Sequence, residues 1–262
     1  MPDWLTSILL GIIEGITEFL PVSSTGHLLV PQQLGWLETQ SDVFNIAIQS
    51  GAVVAVLFNF TDRVKQLTLR WREPEARDYL AKLLVAFVIT GVGGLLIDKL
   101  GFKLPEDVLP VAVALLVGGV LFVVVEKKIG GRANLAEVTW AIAIAVGFGQ
   151  LLAAVFPGTS RSGATILIAL LMGLRRMPAI EFPFLLGVPT LLAAGAYKVF
   201  KAIRDESVTE DWGQLALATA VSAVTAFVSV RWLLRYIETH TFVVFGWYRI
   251  ALGLALLFAI NS

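Results

Sequence analysis

Residues 14–27 read EGITEFLPVSSTGH, and residues 157–165 read PGTSRSGAT. Each run is polar, contains a proline and interrupts a long apolar stretch, from about 4 to 37 and from about 138 to 174. One bilayer crossing takes about 20 apolar residues, so each stretch is too long for a single span. Proline removes a backbone donor and breaks a helix. We therefore predict that each stretch forms a re-entrant helix hairpin, broken at its polar run.

The composition indicates that most of this chain is solvated by lipid. Of its 262 residues 57% are apolar and 15% charged, and the mean hydropathy is +0.80. Lys plus Arg and Asp plus Glu are equal at 20 each, which gives no basic excess for binding nucleic acid. Cysteine is absent, which excludes disulfides, thiolate metal sites and thiol nucleophiles. Chemistry would depend on hydroxyl, carboxylate, imidazole or guanidinium groups.

Full-length spans are predicted between and after the two hairpins. The six apolar runs lie at about 43–60, 80–97, 108–125, 182–200, 212–230 and 241–260. The predicted fold is therefore all-α, a single integral membrane domain over 1–262 with six transmembrane helices and two re-entrant hairpins. The N-terminus lacks a basic head, and Glu14 and Glu18 interrupt its apolar run, so we do not expect a cleavable signal peptide.

The two polar runs also indicate an internal repeat. Aligning Pro21 with Pro157 places Ser24 over Ser160, with Glu14 and Gln150 both seven residues upstream. One hairpin plus three spans in each half, about 1–130 and 136–262, makes the second half enter the membrane from the opposite side. The predicted arrangement is an inverted repeat whose broken helices meet near the membrane midplane.

The cations of the predicted connections favour one orientation. One side would hold thirteen, namely Arg63, Lys65, Arg70, Arg72, Arg77, Lys82, Lys127, Lys128, Arg132, Arg175, Arg176, Arg231 and Arg235. The other side would hold five, namely Lys99, Lys103, Lys198, Lys201 and Arg204. Cytoplasmic loops carry the excess of Lys and Arg. We therefore expect both termini outside and the first hairpin open to the outer side.

Glu14 and Glu18 are four residues apart and share one face of a helix. An ionised carboxylate at the bilayer centre costs at least about 2.5 kcal/mol, and two like charges add repulsion. A bound Mg²⁺ or Ca²⁺ would satisfy both carboxylates with oxygen ligands. The alternative is a protonated pair that hydrogen-bonds to neighbouring helices.

Ser23, Ser24, Thr25 and His27 follow the first proline, where a second half-helix should begin. Their hydroxyls suit helix capping, and for Ser23 or Thr25 singly this is as good an explanation as catalysis. The free N–H groups of a helix start also bind phosphate. His27 can exchange protons near neutral pH, so its position beside serines and glutamates makes it a catalytic candidate.

Arg161, between Ser160 and Ser162, is the counterpart in the second hairpin. A guanidinium at membrane depth is always charged, and its planar fork fits two phosphate oxygens. The alternative is a structural ion pair with Glu14 or Glu18. Arg249, midway along the last span, is interpreted as a packing charge outside the site, and Gln49 as an interhelical hydrogen-bonder.

Two further classes of protein remain open from these residues. Broken helices in inverted repeats are typical of transporters, so an anionic-lipid transporter or flippase is the main alternative to an enzyme. A purely structural membrane protein would leave Glu14, Glu18 and Arg161 without a reason. Small residues such as Gly91, Gly93, Gly94, Gly118 and Gly119 are compatible with packing within one chain or between two chains of a homodimer.

The stretches EGITEFLPVSSTGH and PGTSRSGAT, with the run AIQSGA at 47–52, resemble the undecaprenyl-diphosphate phosphatase family, also called bacitracin resistance proteins. The resemblance extends over nearly the whole chain. It implies metal-dependent hydrolysis of undecaprenyl diphosphate to the monophosphate and phosphate in the bacterial cytoplasmic membrane, at an outward-facing site. This reaction recycles the lipid carrier for peptidoglycan and other envelope polymers.

The resemblance also implies roles for individual residues. Glu14 and Glu18 would be catalytic and metal-associated, and Ser24 and His27 would form a catalytic pair. Phosphate contacts would come from Ser23, Thr25, Ser160, Arg161 and Ser162, with Gln49 as a further site residue. Either Ser24 attacks the terminal phosphorus with His27 as base, or His27 attacks or activates water, since both lie within one helical turn.

Overall fold

A computed structural model describes residues 3–33, 35–38, 40–101, 107–129, 133–204 and 211–261. These residues form helices, joined by short connections, with one β-bridge between Leu135 and Leu174. The helices are α1 (Asp3–Thr17), α2 (Ser24–Gln33), α3 (Asp42–Asn59), α4 (Thr61–Leu69), α5 (Pro74–Lys99), α6 (Val108–Ile129), α7 (Trp140–Val155), α8 (Arg161–Leu171), α9 (Arg176–Arg204), α10 (Trp212–Thr239) and α11 (Val243–Asn261). The predicted all-α fold is confirmed.

Helices α5, α6, α9 and α10 are each long and apolar enough to cross a membrane. Of the most apolar 18 residues of α5 only 17% are buried, and Leu84 and Val92 are more than half exposed. An apolar surface of that extent on a monomer requires lipid or a partner. The prediction of a multi-pass membrane protein is confirmed.

The six predicted spans correspond to α3, α5, α6, α9, α10 and α11. Helices α3 and α4 together are long and apolar enough to cross a membrane, but α4 turns away from α3 by 82° at Phe60. Helix α11 is apolar but shorter. The count of six spans plus two hairpins stays a prediction. Helix α4 was predicted as a connection, because Asp62, Arg63 and Lys65 interrupt any apolar run there. Two of the counted cations, Lys103 and Arg132, lie outside the described residues.

Both predicted breaks are present. Helix α1 ends at Thr17 and α2 starts at Ser24, while α7 ends at Val155 and α8 starts at Arg161. Within each pair the helices pack against each other. The residue before each second helix caps it: the Ser23 hydroxyl accepts from the Gly26 N–H at 3.4 Å, and the Ser160 hydroxyl accepts from the Gly163 N–H at 3.1 Å.

The register of the repeat differs from the prediction after the prolines. Ser23 and Ser160 have φ of +74° and +69°, and they are the two non-glycine residues with positive φ in the described ranges. Matching caps therefore pair Ser23 with Ser160 and Ser24 with Arg161, one residue away from the proline alignment, which was wrong here. One residue lies between Pro21 and its cap Ser23, and two lie between Pro157 and its cap Ser160, so the second break holds one more residue between proline and cap.

Helix contacts follow the pattern of two related halves. Helix α1 packs on α10 as α7 packs on α5, and α3 packs on α10 as α5 packs on α9. The remaining major pairs, α3 with α9 and α6 with α11, join equivalent helices. These contacts are compatible with two related halves, and the inverted repeat over about 1–130 and 136–262 stays a prediction.

Candidate active site

Glu18 lies directly after α1, and its carboxylate joins the two breaks. The Ser24 hydroxyl donates to Glu18 Oε2 at 2.7 Å, and Arg161 Nη2 donates to Glu18 Oε1 at 3.0 Å. Glu18 is 6% exposed, so the contacts form in a largely dry setting. The carboxylate receives a hydroxyl from one half-helix start and a guanidinium from the other, and the predicted ion pair of Arg161 is present.

Arg161 is held on several sides. Its guanidinium carbon lies 5.6 Å from the centroid of the Phe19 ring, and its terminal nitrogens approach Gly187 of α9, where a side chain would collide with them. The Nε atom has no hydrogen-bond partner among the described residues. Its side chain is 16% exposed, so this cation is placed in the site with one donor still unused.

The hydroxyl of Ser162 connects the second half-helix to the first break. It donates to the carbonyl oxygens of Glu18 and Leu20, at 3.2 and 3.1 Å, and lies 3.1 Å from the Ser160 hydroxyl. Ser162 is only 1% exposed. These contacts hold the two breaks in register, and its role as a phosphate contact stays a prediction. Thr25, by contrast, is exposed at the start of α2.

His27 makes contacts different from those expected of a base for Ser24. Its Nδ1 lies 2.7 Å from the Ser23 carbonyl oxygen, and its Nε2 lies 2.6 Å from the Tyr248 hydroxyl on α11. The two rings are nearly parallel, with centroids 5.6 Å apart. Ser24 instead donates to Glu18, so the nearest proton acceptor for Ser24 is a carboxylate.

Glu14 lies one helical turn before Glu18 and is completely buried. Neither of its carboxylate oxygens has a hydrogen-bond partner among the described residues. Glu18 is near enough to share a hydrogen bond with Glu14 if one of the two carboxylates is protonated, and Arg161 is within electrostatic range. A buried carboxylate without partners is costly unless it is protonated or binds a cation. Within the described ranges no cluster of three or more His, Cys, Asp or Glu side chains is present, so a cation here would have two carboxylates.

Arg249 is a buried packing charge, as the sequence indicated, and it contacts the backbone of both breaks. It is fully buried, and its guanidinium donates to the carbonyl oxygens of Pro21, Gly158 and Thr159 at 3.3, 3.1 and 3.0 Å. A fourth bond reaches Ala114 on α6. One side chain thus fastens both breaks to α6 and α11.

Gln49 lies on α3, a helix that packs against α1. Its side chain is partly buried and forms no hydrogen bond with a described residue. The structure therefore brings Glu14, Glu18, Ser23, Ser24, His27, Ser160, Arg161 and Ser162 together at the breaks, with Gln49 on a bordering helix.

Comparison with known proteins shows which family this chain belongs to. The family model described as bacitracin resistance protein BacA matches residues 7–255. A Rhizobium etli (strain CIAT 652) protein named undecaprenyl-diphosphatase is 51% identical over 257 residues, covering 97% of this chain and 96% of its own length. A Xanthomonas oryzae pv. oryzae (strain PXO99A) protein of the same name is 49% identical over 259 residues, covering 98% and 97%. This chain therefore belongs to the bacitracin resistance protein BacA family.

Proposed function

We propose that this protein hydrolyses undecaprenyl diphosphate to undecaprenyl phosphate and inorganic phosphate, and so confers bacitracin resistance. The family membership supports the reaction. The observation that carries it is the Glu18 carboxylate, which lies between the Ser24 hydroxyl and the Arg161 guanidinium at two opposed half-helix starts. Phosphoryl transfer depends mainly on positioning and charge stabilisation, and this arrangement offers both.

Arg161 has two states in the proposed cycle. Without substrate it pairs with Glu18, which limits the cost of two buried charges. An arriving diphosphate competes for the guanidinium, and the half-helix N–H groups bind its other oxygens. Glu18 Oε1 is then released, while Oε2 keeps its bond to Ser24.

In the chemical step, Ser24 Oγ forms a bond to the terminal phosphorus and passes its proton to Glu18. The bond from that phosphorus to the bridging oxygen breaks, and undecaprenyl phosphate leaves. Water then hydrolyses the phosphoserine and releases phosphate. In the second route His27 is the nucleophile or activates water. Trapping the phosphorylated residue distinguishes the two routes. A phosphorylated Ser24 supports the first route, and near-normal turnover by Ser24→Ala with loss in His27→Ala excludes it.

We infer that a divalent cation, Mg²⁺ or Ca²⁺, binds at the glutamate pair. The residues fit such an ion because both oxygens of the buried Glu14 lack partners, and Glu18 is one turn away. Glu14 and Glu18 would hold the ion, which would supply positive charge to the phosphate oxygens. Ser24, Arg161 and the half-helix amides do the positioning in either case.

We further infer that the protein lies in the bacterial cytoplasmic membrane with its termini and site on the outer side. The excess of cations on the opposite side supports this orientation. A homodimer is supported by Gly91 and Gly94 of α5, since no described atom lies within 4 Å of a Cβ added at either position. That face of α5 is open to a second copy.

The experiment is phosphate release from undecaprenyl diphosphate by the purified protein in detergent. We expect release with Mg²⁺ or Ca²⁺ and its loss on adding a chelator. Activity that persists after exhaustive chelation would contradict the proposed metal site but would still support the hydrolase. Absence of release with every divalent ion tested would overturn the enzyme and favour transport of an anionic polyprenyl lipid, which a liposome assay measures.

A further inference from the structure

A groove of about 540 Å³ runs between α6, α7 and α8. Apart from one threonine, the residues that line it are glycine or have apolar side chains. They are Leu109, Pro110, Val113, Ala114, Val117, Gly118, Leu121, Val125, Leu152, Phe156, Pro157, Thr159, Ala164, Leu167, Ile168 and Leu171. Its size is within the usual range for small-molecule pockets, about 300–1,000 Å³.

The groove borders the second break, in the residues that directly precede Ser160 and Arg161. Phe156, Pro157 and Thr159, which belong to the second break, form part of its wall, and Ser160 and Arg161 follow at once. The carbonyl oxygens of Thr159 and of Ala114, which also lines the groove, both accept from Arg249. The buried arginine that fastens the breaks therefore also fixes the wall of the groove.

The groove is also long. Its lining residues on α6 extend from Leu109 to Val125, which at 1.5 Å per residue is about 24 Å of helix. The hydrocarbon core of a bilayer is about 30 Å thick. A flexible apolar chain could lie along most of the membrane thickness in this groove.

We propose that this groove binds the polyprenyl chain of the substrate, starting from the isoprene units next to the diphosphate. The inference rests on the proposed function, which places the diphosphate at Arg161. An amphiphile held there must place its chain in an apolar environment within covalent reach, and the groove starts at the same break. The groove thereby makes chain length a determinant of affinity, because each buried CH₂ adds to binding.

The test uses Val117→Trp, which fills the groove at a position that is 54% exposed. Its matched control is Val224→Trp on α10, 66% exposed and outside the groove. The substrates are undecaprenyl, farnesyl and dimethylallyl diphosphate. We expect Val117→Trp to raise KM for the two longer substrates by about tenfold, as the loss of roughly two buried CH₂ groups would. KM for the C5 substrate and every value of Val224→Trp should change less than about twofold.

A second measurement is independent of turnover and of the Trp variants' folding. A photoreactive residue at Val113 should cross-link undecaprenyl diphosphate, while the same residue at Val224 should not. Equal labelling at both positions, or equal labelling of Val113 by a phosphatidylglycerol probe at the same concentration, would overturn the groove as a substrate site. If the wild type releases no phosphate from any substrate, the proposed function fails while cross-linking still decides whether the groove holds the chain.

Discussion

The Nε2 atom of His27 lies 2.6 Å from the hydroxyl oxygen of Tyr248, which is 221 residues further along the chain. On the other side of the ring, the Ser23 carbonyl can only accept, so Nδ1 carries a proton. In the neutral ring Nε2 is then an acceptor, and the Tyr248 hydroxyl donates to it. Helix α11 thereby fixes both the tautomer and the orientation of the imidazole.

Tyr248→Phe should keep the stacked ring and remove this hydrogen bond. A single hydrogen bond contributes about 0.5–1.5 kcal/mol, so on the route through His27 we expect kcat to fall roughly two- to tenfold. The ¹⁵N signal of Nε2 should move while Nδ1 stays protonated. Tyr197→Phe is the control, because its hydroxyl donates to Asp98 at a different place. Unchanged Nε2 signals in Tyr248→Phe would contradict the contact.

Glu18→Gln should lower kcat by about 10² or more, since a positioned general base contributes 10²–10⁴-fold. The amide cannot take the Ser24 proton and cannot neutralise Arg161. Turnover of the purified variant, with circular dichroism to check folding, is the measurement. Glu38→Gln, at an exposed position, should match wild type. Near-normal turnover in Glu18→Gln would show that another residue is the general base.

Glu14→Gln should raise the Mg²⁺ or Ca²⁺ concentration needed for half-maximal activity by at least about tenfold, an effect that outer-shell changes alone produce at metal sites. The reason is the loss of a charged ligand from the proposed pair. Metal titration of phosphate release after chelator treatment gives this concentration. The same metal dependence as wild type would indicate that Glu14 is instead a protonated hydrogen-bonder.

Arg249→Lys should lower both stability and activity. Lysine keeps the charge but lacks the planar fork that reaches carbonyl oxygens of both breaks and of α6. Leaving buried carbonyls unpaired costs about 1–3 kcal/mol, which corresponds to a loss of roughly 2–12 °C in Tm. Thermal unfolding in detergent measures it against Arg231→Lys at an exposed position. Equal Tm values for Arg249→Lys and Arg231→Lys would show that the two breaks are stable without the guanidinium hydrogen bonds.

The parts of the fold that depend on local composition could be predicted from the sequence. Apolar length predicts α5, α6, α9 and α10, and the prolines predict both breaks. Helix α4 was missed because its charged residues hide it from a test of apolar length. The proline alignment was wrong by one residue, because a backbone can insert a residue in a break and still place the next helix cap alike.

In the candidate site, too, local features could be predicted from the sequence and long-range contacts could not. Glu18, Ser24 and Arg161 could be singled out because charge or hydroxyl groups in lipid require a reason. The partners of His27 and the role of Arg249 depend on how α11 packs against residues more than 200 positions away, which no local pattern encodes. The family resemblance implied that Ser24 and His27 form a catalytic pair, but the imidazole turns towards α11 and the hydroxyl towards Glu18.

The matching left-handed serines Ser23 and Ser160 also bear on how the protein evolved. Each is followed by a different residue, Ser24 in one half and Arg161 in the other, and Glu18 needs both. An ancestor with two identical halves would have had two hydroxyls or two guanidiniums at these positions. If the halves arose by duplication, the duplication supplied only the scaffold, because a site that uses one hydroxyl and one guanidinium requires halves that differ.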